Sequence, residues 1–322
     1  MPFALALLLV AAAPPPPGAM VDLGGHRLHV RCTGAGSPTV VVENGLGDFS
    51  FDWALVTDRV SKFARICTYD RAGYAWSEPG PKPRSFAQLN LELKDALEKL
   101  HETPPYVLVG HSFGGPVVRS FAARYPSLVS GMVLVDSVFE DQRVPIQGKA
   151  VRIRDGATGR AAPAPRETMT DADRPEPPRE AAPAPEPRKL NPLYERLPAD
   201  DQRLQLWAQA LSGIDDAENS QREWSTESLA AMHASPQEGV LGEMPLVVLT
   251  REKGGYSDKL DVPAAELEKE RLAGQAGLAR LSRNGRQIIV PAGHNMEIEA
   301  PDAVAGAIRD IVLAVRRARS AR

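Results

Sequence analysis

The chain has 322 residues, 43% hydrophobic and 25% charged, with 38 basic and 41 acidic side chains and a net charge of −3. That is enough apolar sequence to bury one large core, and so even a charge balance excludes nucleic acid as an expected partner. The two cysteines, Cys32 and Cys67, stand 35 positions apart, a spacing that fits neither a zinc site nor a redox pair.

The first 20 residues stand apart. Phe3 to Ala13 is a continuous apolar run, followed by Pro14 to Pro17, with small residues available for cleavage near Ala13 or Ala19. Eleven residues cannot cross a bilayer as a helix, but they fit the apolar region of a secretory signal peptide. The basic flank that normally precedes such a region is missing. The segment predicts export to the periplasm or beyond, against the alternative of a disordered tail on a cytoplasmic chain, and no stable membrane span.

From Val21 onward, short β-rich runs alternate with helical patterns. The runs are Val21–Leu23, Arg27–Cys32, Thr39–Val42, Ala64–Tyr69, Tyr106–Val109, Gly131–Val135, Leu246–Thr250 and Gln287–Val290. Most are continuously apolar, as strands of a sheet covered on both faces should be. Phe86 to Leu100 carries an apolar stripe after Ser85, a candidate N-cap, and Pro116–Arg124 and Pro301–Arg317 also read as helices. Strand-then-helix alternation predicts an α/β fold with a largely parallel sheet and helices on both sides. No internal repeat is visible.

One stretch breaks this pattern. Residues 154–189 contain no Val, Ile, Leu, Phe, Tyr or Trp, and eight prolines fall between Pro163 and Pro187. Such sequence buries too little apolar surface to offset its ordering entropy, so a mobile, partly extended loop is expected. Helical sequence with aromatic residues resumes at Leu190 and runs to about Ser235. Residues 139–240 therefore read as an insertion between the sixth and seventh strands. The core is 21–138 together with 241–322.

The sequence with chemical content is Gly110-His111-Ser112-Phe113-Gly114. A Gly-x-Ser-x-Gly pattern alone is weak, but here an apolar strand enters it and a helix leaves it. That turn strains the serine backbone and puts its hydroxyl above a helix N-terminus, whose N–H groups favour a developing negative charge. Ser112 is the candidate nucleophile; the competing reading is an inert serine in a glycine-rich turn. A serine hydroxyl needs a base. Of His26, His29, His101, His111, His233 and His294, only His294 follows the last strand at its carboxyl end, the edge where catalytic groups of open parallel sheets gather. His111 adjoins Ser112, yet its side chain should point away from it, and His26 and His29 read as structural. Oxyanion donors are expected at the backbone N–H of Phe113 and, from the turn Glu43-Asn44-Gly45-Leu46-Gly47-Asp48, at that of Leu46.

Together these pieces resemble the α/β-hydrolase superfamily: Glu43 to Gly47, Tyr69-Asp70-Arg71-Ala72-Gly73-Tyr74-Ala75-Trp76-Ser77, Gly110 to Gly115, and Gly293-His294. The resemblance covers Val21 to the C-terminus apart from the insertion. It implies a mostly parallel eight-stranded sheet in the order 1-2-4-3-5-6-7-8, with 139–240 as a cap. It also implies that Cys32 and Cys67 lie on neighbouring strands, which makes a disulfide as reasonable as two buried thiols. Asp70 and Arg71 read as a structural pair or turn rather than as catalytic groups.

Two positions depart from the family pattern. Asn44-Gly45 stands where His-Gly is usual. Glycine stands where the triad aspartate is expected after the seventh strand, in Thr250-Arg251-Glu252-Lys253-Gly254-Gly255. Asp136, Glu252 and Asp258 are the candidate substitutes. Asp136 ranks first, because a strand end fixes and shields a carboxylate better than a glycine-flanked loop does; Glu252 comes next. The expected activity is hydrolysis of a carboxylic ester or related acyl bond through an acyl-enzyme, with a small-molecule acyl substrate and no cofactor or metal. Amide or peptide hydrolysis of an aminopeptidase-like kind is the nearest variant, since fold and triad do not choose the leaving group. A non-hydrolytic lyase, a small-molecule sensor or an inactive interaction protein are the other classes. Dehalogenases and epoxide hydrolases of this fold use aspartate at the elbow, so Ser112 argues against both.

Overall fold

Each continuous apolar run divides between two faces once it pairs into a sheet, because successive side chains of a strand point to opposite sides. In β5 (Tyr106–His111), Leu108 joins one core while Val107 and Val109 join the other. The same split separates Met132 and Leu134 from Val133 and Val135 in β6 (Val129–Val135). It recurs in β9 (Leu246–Arg251), between Leu246 and Val248 on one side and Val247 and Leu249 on the other. The computed structural model describes residues 13–170, 173, 189–211, 213–235 and 238–321. Most of the signal-like segment, residues 1–12, lies outside these, as do 171–172 and 174–188 of the proline-rich stretch.

Five further strands complete the main sheet: β1 (Ala19–Asp22), β2 (Arg27–Thr33), β3 (Val40–Glu43), β4 (Ile66–Tyr69) and β10 (Gly285–Val290). Its order is β1-β2-β4-β3-β5-β6-β9-β10, which is the order the resemblance implied. β2 runs antiparallel to both its neighbours and every other pair is parallel. One face is covered by α2 (Phe86–Lys99), α3 (Gly114–Arg124) and α6 (Ala264–Ala279). The other is covered by α1 (Ala54–Val60) and α8 (Pro301–Ser320), whose Val304, Ile308, Ile311, Val312 and Val315 form the buried stripe. Ser85 caps α2 by accepting from the N–H of Gln88 at 3.3 Å. Among the described residues, no helix is long and apolar enough to cross a membrane.

Cys32 and Cys67 are direct register partners across β2 and β4 and form a disulfide. The reading as two buried thiols is thereby overturned; strand register, which spacing alone does not reveal, makes them neighbours.

Between β6 and β9 the chain forms a hairpin, β7 (Arg143–Ile146) with β8 (Lys149–Arg152), and then helices α4 (Ala199–Ala208) and α5 (Ile214–His233). Trp207 of α4 packs on Trp76, with ring centroids 4.9 Å apart. The described part of the proline-rich stretch is tied down by polar contacts, which a count of apolar residues does not register. The N–H groups of Thr158 and Gly159 donate to Glu227 at 2.8 and 3.1 Å. The N–H of Arg166 donates to Gln88 at 2.8 Å.

Candidate active site

β5 runs straight into Ser112, whose φ of +50° is the left-handed conformation that the sharp turn demands. A Cβ on Gly110 would sit 2.7 Å from the carbonyl oxygen of Gly114, so only glycine lets the chain fold back this tightly. The turn is stitched to the end of β6: Ser112 N–H donates to Val135 O at 3.0 Å, and Ser112 O accepts from Val138 N–H at 2.9 Å. Between those two contacts lies Asp136, also left-handed at φ +39° and anchored through its N–H to Leu249 O at 2.8 Å.

His294 lies in the loop between β10 and the short helix α7 (Met296–Glu299). Its Nε2 is 2.9 Å from Ser112 Oγ and its Nδ1 is 2.6 Å from Asp136 Oδ2. Glu252 and Asp258 are exposed, and among the described residues neither carboxylate contacts His294. Of the three candidate carboxylates, the structure brings only Asp136 to the imidazole. His26 and His29 are buried among partners of their own: His26 sits 3.7 Å from Glu92, and His29 bonds Asp70 at 2.7 Å.

Two arginines hold Asp136. Arg251 closes β9 and places Nη1 2.5 Å from Asp136 Oδ2 and 2.8 Å from His294 Nδ1, while Arg271 Nη1 lies 3.7 Å from the other carboxylate oxygen. Burial works to raise the Asp136 pKa, but the hydrogen bond from His294 and the Arg251 charge outweigh it and keep the group below its ordinary value. Burial lowers the His294 pKa, helped by the His111 and Arg251 charges and only partly offset by Asp136. The shift favours the neutral imidazole, the form that can accept a proton.

The turn after β3 is gripped from beneath by the buried Arg71. Its Nη1 donates to Asn44 O at 2.7 Å and to Glu43 Oε1 at 2.9 Å, its Nη2 to Gly45 O at 2.5 Å, and its Nε to Gln221 of α5 at 2.9 Å. Asp70 and Arg71 do not pair with each other; Asp70 instead accepts from His29 and from Ser50 N–H. Leu46 and Phe113 share one apolar cluster with Phe86, Leu89 and Val117. Neither the Leu46 nor the Phe113 amide donates to another described residue, and Phe113 stands at the N-terminus of α3.

Sequence reasoning did not single out Arg251, the grip of Arg71, or the group formed by Asp48, His111 and Glu297 beneath Ser112. Arg251 did carry a signal, as it lies within the stretch Thr250 to Gly255 where the family's acid is expected. Among the described residues, Asp48, His111 and Glu297 lie close enough to share a metal, as do Cys32, Cys67 and Glu102. Neither set suits one: both ring nitrogens of His111 are engaged in hydrogen bonds, and both sulfurs are consumed in the disulfide.

Residues 40–307 match the family model described as the alpha/beta hydrolase family. Among curated proteins, the chain is 32% identical over 129 residues to a probable transporter, efuK, of Hormonema carpetanum, covering 38% of this chain and 18% of that protein. It is 30% identical over 129 residues to the uncharacterized protein YbdG of Bacillus subtilis strain 168, covering 39% and 40%. The match thus spans less than half of either relative's length. Among solved structures, an enol-lactonase from Burkholderia xenovorans LB400 superposes with a TM-score of 0.62 at 20% identity, over 92% of this chain and 100% of that one. A thermophilic esterase from Thermogutta terrifontis superposes with a TM-score of 0.58 at 18% identity, over 90% and 94%. At these identities the likeness is one of fold.

Proposed function

The chain belongs to the alpha/beta hydrolase family, and from that premise we propose that it is a serine hydrolase cleaving a carboxylic ester or related acyl bond of a small molecule through an acyl-enzyme. The observation that carries this reading is the unbroken run of contacts from Ser112 Oγ to His294 Nε2, 2.9 Å, and from His294 Nδ1 to Asp136, 2.6 Å. In this mechanism Ser112 Oγ attacks the acyl carbon while His294 Nε2 takes its proton. The oxyanion that forms accepts from the Leu46 and Phe113 amides, which are held ready and need no reorganisation during reaction. His294 returns the proton to the departing alcohol. It then deprotonates a water molecule, which attacks the acyl-serine, releases the acid and restores the hydroxyl. Asp136 fixes the tautomer with hydrogen on Nδ1 and stabilises the transient imidazolium.

A fluorophosphonate probe tests this directly. Wild-type protein should be labelled stoichiometrically and hydrolyse 4-nitrophenyl acyl esters; Ser112→Ala should do neither. An unlabelled wild-type protein would sink the acyl-enzyme reading, and a panel of acyl lengths would define the substrate. We also propose that the chain acts outside the cytoplasm. The Cys32–Cys67 disulfide supports this, since such bonds persist in oxidising compartments.

A further inference from the structure

We propose that His111 is a positioning residue working as a buried cation: it bolts the oxyanion turn to the loop that carries His294, and its charge keeps the His294 imidazole neutral. The inference rests on the reading of His294 as the base.

The geometry assigns both ring hydrogens. His111 is 1% exposed, and its Nε2 lies 3.0 Å from the carbonyl oxygen of His294. A backbone carbonyl can only accept, so Nε2 carries hydrogen. Its Nδ1 lies 2.9 Å from Asp48 Oδ2; the Asp48 carboxyl is held below its ordinary value, against its burial, by the hydrogen bond and charge of His111, and an ionised carboxylate only accepts, so Nδ1 carries the second. An imidazole with both nitrogens protonated is a cation. One ring thereby joins the turn that presents Leu46 to the loop that presents His294, from the position directly before the nucleophile.

Burying a cation is costly unless counter-charges surround it. Asp48 is the first of these. Glu297, on α7, is the second: it is fully buried, its Oε2 lies 3.8 Å from His111 Nε2, and neither oxygen has a hydrogen-bond partner among the described residues. Burial opposes charging of His111, but Glu297, Asp48 and the His294 carbonyl more than offset it and push the pKa up to about 10. The other groups facing the cluster are Asp52, Tyr194 and Arg71. Burial and the Asp48 charge raise Asp52 well above its ordinary value; Tyr194 faces Asp48, Asp52 and Glu297; and Arg71 faces Asp48.

The His111 and His294 rings lie 4.8 Å apart, centroid to centroid. A fixed cation at that distance opposes a second positive charge on His294, alongside Arg251 and against Asp136. The proton of Ser112 then has a vacant acceptor at neutral pH.

Two measurements test this. In 15N NMR of the wild-type imidazoles at pH 8, both nitrogens of His111 should carry hydrogen; one bare nitrogen would overturn the proposal. In His111→Gln, the titration of His294, assigned with His294→Gln, should move up by about one pH unit, and the acidic limb of kcat/KM should follow it. A fall in activity with neither titration nor limb moved would mean a merely structural role and would also overturn it. If His111→Gln does not fold, the wild-type measurement decides alone. Retention of wild-type turnover by Ser112→Ala would instead strike the hydrolase reading, while the NMR arms still report the charge on His111.

Discussion

Asp136 Oδ2 lies 2.6 Å from His294 Nδ1, across 158 residues of chain, and Asp136 directly follows β6 rather than β9. β6 and β9 are parallel neighbours, with Val135 in register with Leu249. The residue after β6 therefore reaches the level where β9 ends. Arg251 occupies the end of β9 and points back at Asp136. The last residue of β9, just before the glycines that stand where the family usually supplies an anion, thus supplies a cation that holds Asp136.

Asp136→Asn should lower kcat by about a thousandfold to ten-thousandfold with the fold intact, because the imidazole loses both its tautomer lock and its counter-charge. Glu252→Gln and Asp258→Asn should stay within about twofold of wild type, as expected for exposed side chains outside the site. Initial rates and circular dichroism on the three variants check this. Loss of turnover in Glu252→Gln alone would transfer the role to Glu252.

The pH profile should reflect the depressed pKa of His294. Protonated His294 cannot accept from Ser112, so kcat/KM should rise with pH with its midpoint below the ordinary histidine value of 6.5. Arg251→Met removes a cation whose charge lowers the pKa values of both His294 and Asp136, so the acidic limb should move to higher pH. A limb that stays in place in Arg251→Met would show that the guanidinium does not tune the base.

Stability should fall on the alkaline side. The His111 pKa is raised to about 10, so its contribution is fully present below about 6.5 and is lost as pH rises through 10. Glu297 is raised to about 7 by burial, so its own contribution declines earlier, between about 4.5 and 7, and above that range it faces His111 as an anion. Tm should therefore decline between pH 6.5 and 10, and the decline should flatten in His111→Gln. Thermal melts across that range measure it.

The Cys32–Cys67 bond closes a loop of 35 residues. Chain-entropy arguments give such a crosslink about 3–4 kcal/mol. A Cys32→Ser, Cys67→Ser double variant should lose about that much in chemical denaturation while retaining turnover, since neither residue touches the site. A change below about 0.5 kcal/mol would mean that the unfolded chain gains little freedom when the bond is absent.

The strand runs, the α2 and α8 stripes, the elbow at Ser112 and the placement of His294 after the last strand were all legible in the sequence. Each is written in residues close together on the chain: apolar periodicity, a cap at Ser85, glycines flanking a serine. The tertiary structure alone decided the rest. It set Asp136 rather than Glu252 or Asp258 against His294, paired Cys32 with Cys67, aimed Arg251 at the acid, and joined His111 to Asp48 and Glu297. These relations depend on strand register and on charges brought together from distant segments, where burial makes an unpaired ion costly. Short-range pattern holds no record of either, so one sequence names several carboxylates that can serve and the fold selects among them.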